Sequence, residues 1–222
     1  MKNIEINGST REFVYQRIKS QIINCELTPG TKMSEKETSD KLEVSRTPVR
    51  EAFLTLAQEE LLRIIPQSGT IVTKIDLQLV EEGRFVREHI EKAIVREACS
   101  KINTDQLFQL ESNIKMQEFS YEKGNFQQLF ELDGQFHTIL FEICKKNRTN
   151  NIIKQMNSHF DRLRVLSLAT VSNWEKVIHQ HKDIVQYVSE NKPDLAEKTM
   201  EQHLKLVIIE KDELRERYPE YF

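Results

Sequence analysis

Apolar residues recur along this chain mostly at three- and four-residue intervals, the spacing of helices that bury one face. Over Thr10 to Asn24 the stripe is Val14, Ile18 and Ile22, and Thr28-Pro29-Gly30 closes it with a turn. Ser34 followed three residues on by Glu37 has the form of a capping box, which predicts a short helix to Leu42. Ser45-Arg46-Thr47-Pro48 is a second start signal: Ser45 is placed to cap, and Pro48 falls in the first turn, where a missing N–H costs little. Val49, Ala52, Phe53, Leu56 and Ala57 then form one apolar face as far as Glu60. The period changes after that. Residues 62–65 and 70–73 are β-prone runs separated by Pro66-Gln67-Ser68-Gly69, which predicts a hairpin.

From Asp76 onward the helical period returns and holds. It predicts helices over 76–100, 104–123, 125–146, 149–169, 173–190 and 193–217. The joints between them are short, which implies antiparallel neighbours in a bundle. The expected fold is mostly α: a winged helix-turn-helix over residues 1–75, then an all-α antiparallel helical bundle over 76–222.

Composition narrows the picture. Only 6 Gly and 5 Pro in 222 residues leave little material for tight turns, against an all-β fold. The three cysteines, Cys25, Cys99 and Cys144, are scattered and form no CxxC pair, so a reducing cytoplasm is expected rather than a disulfide framework. No apolar run spans a bilayer, and the N-terminus lacks the apolar centre of a signal peptide, so no membrane partner is expected. Net charge is −3, and residues 1–75 carry 11 Lys and Arg against 10 Asp and Glu. Attraction to nucleic acid must therefore come from cations placed on one face.

Their placement is suggestive. Residues at the start of the second helix of a helix-turn-helix point into the major groove. Arg46 and Arg50 lie four apart, away from Phe53 and Leu56, where Arg can donate a bidentate pair to guanine and Thr47 can reach a phosphate or base edge. Lys36 and the wing tip around Gly69 are candidate backbone contacts.

In the second half, polar residues occupy apolar slots. Asp133 and His137, four apart, sit in the stripe Phe126, Leu129, Phe130, Phe136, Leu140, Cys144. His181 sits between Val177 and Ile184, and His203 among Ala196, Met200 and Val207. Such groups are either hydrogen-bonded core residues or ligands of a divalent metal, with zinc foremost and nickel, manganese or cobalt as alternatives. His89, His159 and His179 fit the stripes less squarely and are expected at the surface or behind the ligands. Arg162 and Arg164 are candidates to bind an anionic effector.

The segment GTKMSEKETSDKLEVSRTPVREAFLTLAQEELLRIIPQSGTIV resembles the DNA-binding domain of the GntR family of transcription regulators, with VSRTPVREA uninterrupted. The resemblance implies that Arg46, Thr47 and Arg50 are the principal DNA contacts, supported by Lys36 and Gly69. Glu59-Glu60 departs from the pattern, since the family usually has Gly just before the Leu. The segments FVREHIEKAIVREAC, FELDGQFHTIL, HQHKDIV and EQHLKLV resemble the helical sensor domain called FCD, found in FadR- and VanR-type members. That implies metal ligands Asp133, His137, His181 and His203 at the floor of an effector pocket, with Arg87 facing it. Arg87 opposite an open metal would hold a small carboxylate.

The function expected is a non-enzymatic, homodimeric, sequence-specific DNA-binding regulator, foremost a repressor. It would read a palindromic operator under the control of a carboxylate effector. Two other readings stay open: a metal-dependent enzyme in which the Asp/His cluster activates water, and an effector-free DNA-binding adaptor whose polar interior is a core network.

Overall fold

A computed structural model describes residues 9–167, 174–206 and 211–222. The N-terminal unit runs α1 (Thr10–Ile23), β1 (Lys32–Met33), α2 (Glu35–Leu42), α3 (Arg46–Gln58), β2 (Leu62–Ile65) and β3 (Gly69–Val72). Ser34 Oγ accepts from the Glu37 backbone N–H at 3.0 Å and caps α2 as predicted. Ser45 occupies the cap position of α3, but its side chain makes no capping bond. Val14, Ile18 and Ile22 of α1 meet Val49, Ala52, Phe53 and Leu56 of α3 in one buried cluster. The stripes read from the sequence are thus the two sides of one contact.

The hairpin β2–β3 pairs Leu62 with Val72 and Ile64 with Thr70. Gly69 opens β3 at φ +106, a conformation that L side chains rarely adopt. A third strand was not foreseen: β1 pairs with β3 through Lys32 and Met33, giving the antiparallel order β1-β3-β2. Two residues carry no alternation to detect. Glu60, at the departure from the family pattern, adopts φ +59, a left-handed turn between α3 and the wing that glycine would enter without strain.

The rest of the described chain is helical: α4 (Leu77–Ala98), α5 (Thr104–Glu122), α6 (Phe126–Ile143), α7 (Asn147–Met156), α8 (Ser158–Ser167), α9 (Trp174–Ser189), α10 (Pro193–Lys205) and α11 (Lys211–Arg217). The helix expected over 149–169 is instead two, α7 and α8, broken at Asn157. The break meets Gly83 of α4, where an added Cβ would lie 2.8 Å from Asn157 Oδ1 and 3.0 Å from the Met156 carbonyl. The glycine lets the helices cross at close range. The stretch expected as one helix over 193–217 contains α10 and α11, and its stripe residue Val207 lies outside the described residues.

A second core, with Val95, Leu110, Phe136, Leu140, Ile184 and Met200 among its members, fills the bundle of α4, α5, α6, α9 and α10. A smaller third core joins the units: Ile75 and Val80 pack with Phe160, Leu163 and Leu166 of α8 and Leu214 of α11. The joint is also polar. The Asp76 N–H donates to His159 Nδ1 at 3.0 Å, and His159 Nε2 meets the Glu60 carbonyl at 3.3 Å. His159 is therefore no surface residue but a buried link between α8, the linker and the turn before the wing. No described helix is long and apolar enough to cross a membrane.

Candidate metal centre and nucleic-acid interface

Three helices carry the expected ligands to one point. Asp133 and His137 come from α6, His181 from α9 and His203 from α10, all buried, with one ligand atom of each within 4.8 Å of the others. The four-residue spacing on α6 is what places Asp133 and His137 on one face. His137 Nε2 lies 3.1 Å from His203 Nε2, and His181 Nε2 lies 3.4 Å from it. Asp133 offers Oδ1 at 3.7 Å from His181 Nε2 and Oδ2 at 4.0 Å from His137 Nε2. Ligands at 2.0–2.1 Å around a tetrahedral ion stand about 3.3–3.4 Å apart. The cluster is close to that size.

Hydrogen bonding behind the rings sets which nitrogen faces inward. His181 Nδ1 donates to Gln117 Oε1 at 2.8 Å, Gln117 Nε2 to Asn113 Oδ1 at 2.6 Å, and Asn113 Nδ2 to the Leu132 carbonyl at 3.1 Å. Phe136 stacks on the His181 ring with centroids 4.0 Å apart. His137 Nδ1 pairs with Glu91 Oε2, which leaves Nε2 directed at the cluster. Both lone pairs then point toward His203 Nε2, where a single N–H satisfies only one of them. Burial pushes His181 down to about 3 and holds His203 well below the ordinary histidine value, with the neighbouring imidazoles adding to both effects. Neutral rings with converging lone pairs and a carboxylate fit a divalent cation better than they fit one another.

The anion side of the site is also built. Burial would raise the Asp133 carboxyl, but the Arg164 guanidinium, with Nη2 2.5 Å from Oδ2, outweighs it and holds the group far below the carboxylate range. Arg87 Nε bonds Glu91 Oε1 at 2.6 Å, and despite burial Arg87 and His137 hold the Glu91 carboxyl at about 2. Arg87, Glu91, His137 and Arg164 line a cavity of roughly 580 Å³.

Arg162 is not among them. Two helical positions turn the chain by about 200°, so Arg162 faces away from Arg164. It is fully buried at the joint, and Nη2 donates to the Thr73 carbonyl at 2.9 Å. Asn113 and Gln117 were not singled out from the sequence, although polar residues four apart on the buried face of Leu110 and Ile114 are the same kind of signal as the histidines. His89 and His179 are exposed.

At the other end of the molecule, Arg46, Thr47 and Arg50 occupy the first two turns of α3, exposed, while Val49, Ala52, Phe53 and Leu56 take the buried face. Lys36 is exposed in the first turn of α2 and Gly69 at the wing turn. Among the described residues none of the three cations has a carboxylate partner, which leaves them free for phosphate or base edges.

Two family models match this chain: "Bacterial regulatory proteins, gntR family" over residues 10–72, and "FCD domain" over 84–206. The chain belongs to the GntR family of transcription regulators, with an FCD domain. This GntR regulator is 36% identical to the HTH-type transcriptional repressor RspR of Escherichia coli K12 over 94% of this chain and 92% of that protein. It is 29% identical to an HTH-type regulator from an unstable DNA locus of Streptomyces ambofaciens, over 98% of this chain and 92% of that one. The solved structure of E. coli McbR/YncC shares the fold, with TM-score 0.82 at 18% identity, covering 95% of this chain and 99% of that one. As a GntR regulator the protein binds DNA, and the stretch that the gntR model matches, residues 10–72, contains α2, α3 and the wing.

Proposed function

We propose that this GntR regulator is a homodimeric, cytoplasmic repressor that leaves a palindromic operator when a small carboxylate binds over a divalent metal, zinc foremost, in the FCD domain. Arg46, Thr47 and Arg50 read bases, with Lys36 and the backbone at Gly69 anchoring the phosphates. Asp133, His137, His181 and His203 hold the metal, and Arg87 faces the acid from the side. When bound, the ion supplies a Lewis-acidic contact for the carboxylate. Gln117 and Glu91 keep the two Nε2 atoms aimed inward, and Arg164 neutralises Asp133. One observation carries the reading: four buried ligand atoms converge on one point, and one of the four residues, His137, also lines a cavity together with Arg87 and Arg164. The name of the relative RspR supports repression.

The test is metal content of untagged protein, compared with a His137→Ala/His181→Ala variant, followed by operator binding with and without small acids. One equivalent of divalent metal in the parent, lost in the variant, with acid-dependent release from an operator recovered by selection, is expected. Absence of metal from both proteins after reconstitution would remove the metal-floored pocket. Release by acids of the metal-free variant would do the same.

A further inference from the structure

The cavity that His137 lines has a wall contributed by the DNA-binding unit. Arg11, Tyr15 and Lys19, one turn apart along α1, line it together with Thr55 of α3, facing Arg87 and Arg164. This strip flanks the stripe of Val14, Ile18 and Ile22 that α1 buries against α3, so it is free to meet the bundle. Two of its polar groups are already engaged: Tyr15 Oη donates to Glu59 Oε1 at 2.5 Å and Lys19 Nζ to Glu59 Oε2 at 2.7 Å. Arg11 differs. Its Nη2 donates to the neutral Thr55 hydroxyl at 3.2 Å, and among the described residues it has no carboxylate partner. The acids around the cavity are mostly spoken for, Glu12 by Gln16 at 2.7 Å and Asp161 by Arg164 at 3.7 Å. With a divalent metal held by His137 and its three neighbours, the cavity would have two cationic poles: the metal at His137, and Arg11 on a helix of the other unit.

We infer that the effector is a dianion, with one carboxylate at the metal and a second anionic group at Arg11, so that the bound acid bridges the FCD domain and α1. The inference rests on the carboxylate reading above and adds the charge of the ligand. It also gives the coupling a physical form. An acid held from both sides binds one placement of α1 on the bundle better than any other, and that difference in affinity is what shifts the operator equilibrium. A monocarboxylate, reaching only the metal, has no such differential contact with α1.

Calorimetric titration of the zinc-reconstituted full chain tests this with butyrate against succinate and with valerate against glutarate. Each diacid is expected to bind at least about tenfold more tightly than the monoacid of equal carbon number, in the range of a charge-assisted hydrogen bond. Arg11→Ala should remove that gain while leaving monoacid affinity in place. Arg17→Ala, exposed on the same helix and outside the cavity lining, should keep it. Equal affinity for mono- and diacids, or a diacid preference that survives Arg11→Ala, overturns the bridging inference and leaves the carboxylate reading intact. Failure of every acid to bind overturns both.

Discussion

Acidification should weaken the joint between the two domains by an amount that can be assigned to one side chain. His159 is 3% exposed, accepts from the Asp76 N–H and, as the Nε2–H tautomer this requires, donates to the Glu60 carbonyl. Burial first, and the Arg162 charge second, push its pKa from 6.5 down to about 4. In the unfolded chain the imidazole takes up a proton below pH ~6.5, while in the fold it stays neutral until pH ~4. The unfolded state thus binds more protons between these values, and stability falls as pH falls through that window, levelling off below it. A difference of about 2.5 pH units is worth roughly 3 kcal/mol, approaching 1.4 kcal/mol per pH unit in mid-window. Urea denaturation of the metal-loaded parent and of His159→Gln, followed by circular dichroism at half-unit steps from pH 7.5 to 4.5, reads it directly. His181 and His203 are common to both proteins and drop out of the difference. The variant is expected to lose stability less steeply between pH 6.5 and 4.5, the two curves converging by about 2 kcal/mol. Parallel curves across that window would refute the placement of a neutral, buried His159 at the joint.

Other expectations follow from single contacts. Arg164→Met strands the Asp133 carboxylate, 1% exposed, without its guanidinium partner. The metal-free protein should lose about 3–5 kcal/mol, and added zinc should recover much of it in a thermal melt, because the ion replaces the lost charge. Gly83→Ala places a methyl against the Met156 carbonyl and Asn157 Oδ1, and should cost about 1–3 kcal/mol in chemical denaturation; an unchanged midpoint would contradict the close crossing. At the operator, Arg46→Ala should weaken binding by about 1–3 kcal/mol and relax preference at one base pair, whereas Lys36→Ala should weaken all sequences alike and lower the salt slope by about 1 in titrations by fluorescence anisotropy.

Much of this protein is written in its local pattern. A 3.6-residue period in Val14, Ile18 and Ile22, and again in Val49, Phe53 and Leu56, dictates two helices that must bury a face, and the shift to β-prone residues after Leu61 dictates the wing. Polar residues in apolar slots at Asp133, His137, His181 and His203 were legible for the same reason: a desolvated imidazole or carboxylate is costly, so its presence on a core stripe demands a partner. Periodicity does not say where a stripe ends in space. The break at Asn157 answers the approach of Gly83, a residue some 70 positions earlier, and no local signal marks it. Arg162 and Arg164 are equally basic in the sequence, yet the rotation of α8 sends one to the Thr73 carbonyl and the other to Asp133. His159 became a link rather than a surface residue because the linker and the turn before the wing close over it. The polar strip Arg11, Tyr15 and Lys19 reads as a solvated helix face, and only the docking of α1 over the bundle makes it the wall of a cavity. Short-range chemistry decides which faces are buried; which buried or half-buried faces meet depends on contacts between residues far apart in the chain, and only the folded arrangement supplies those.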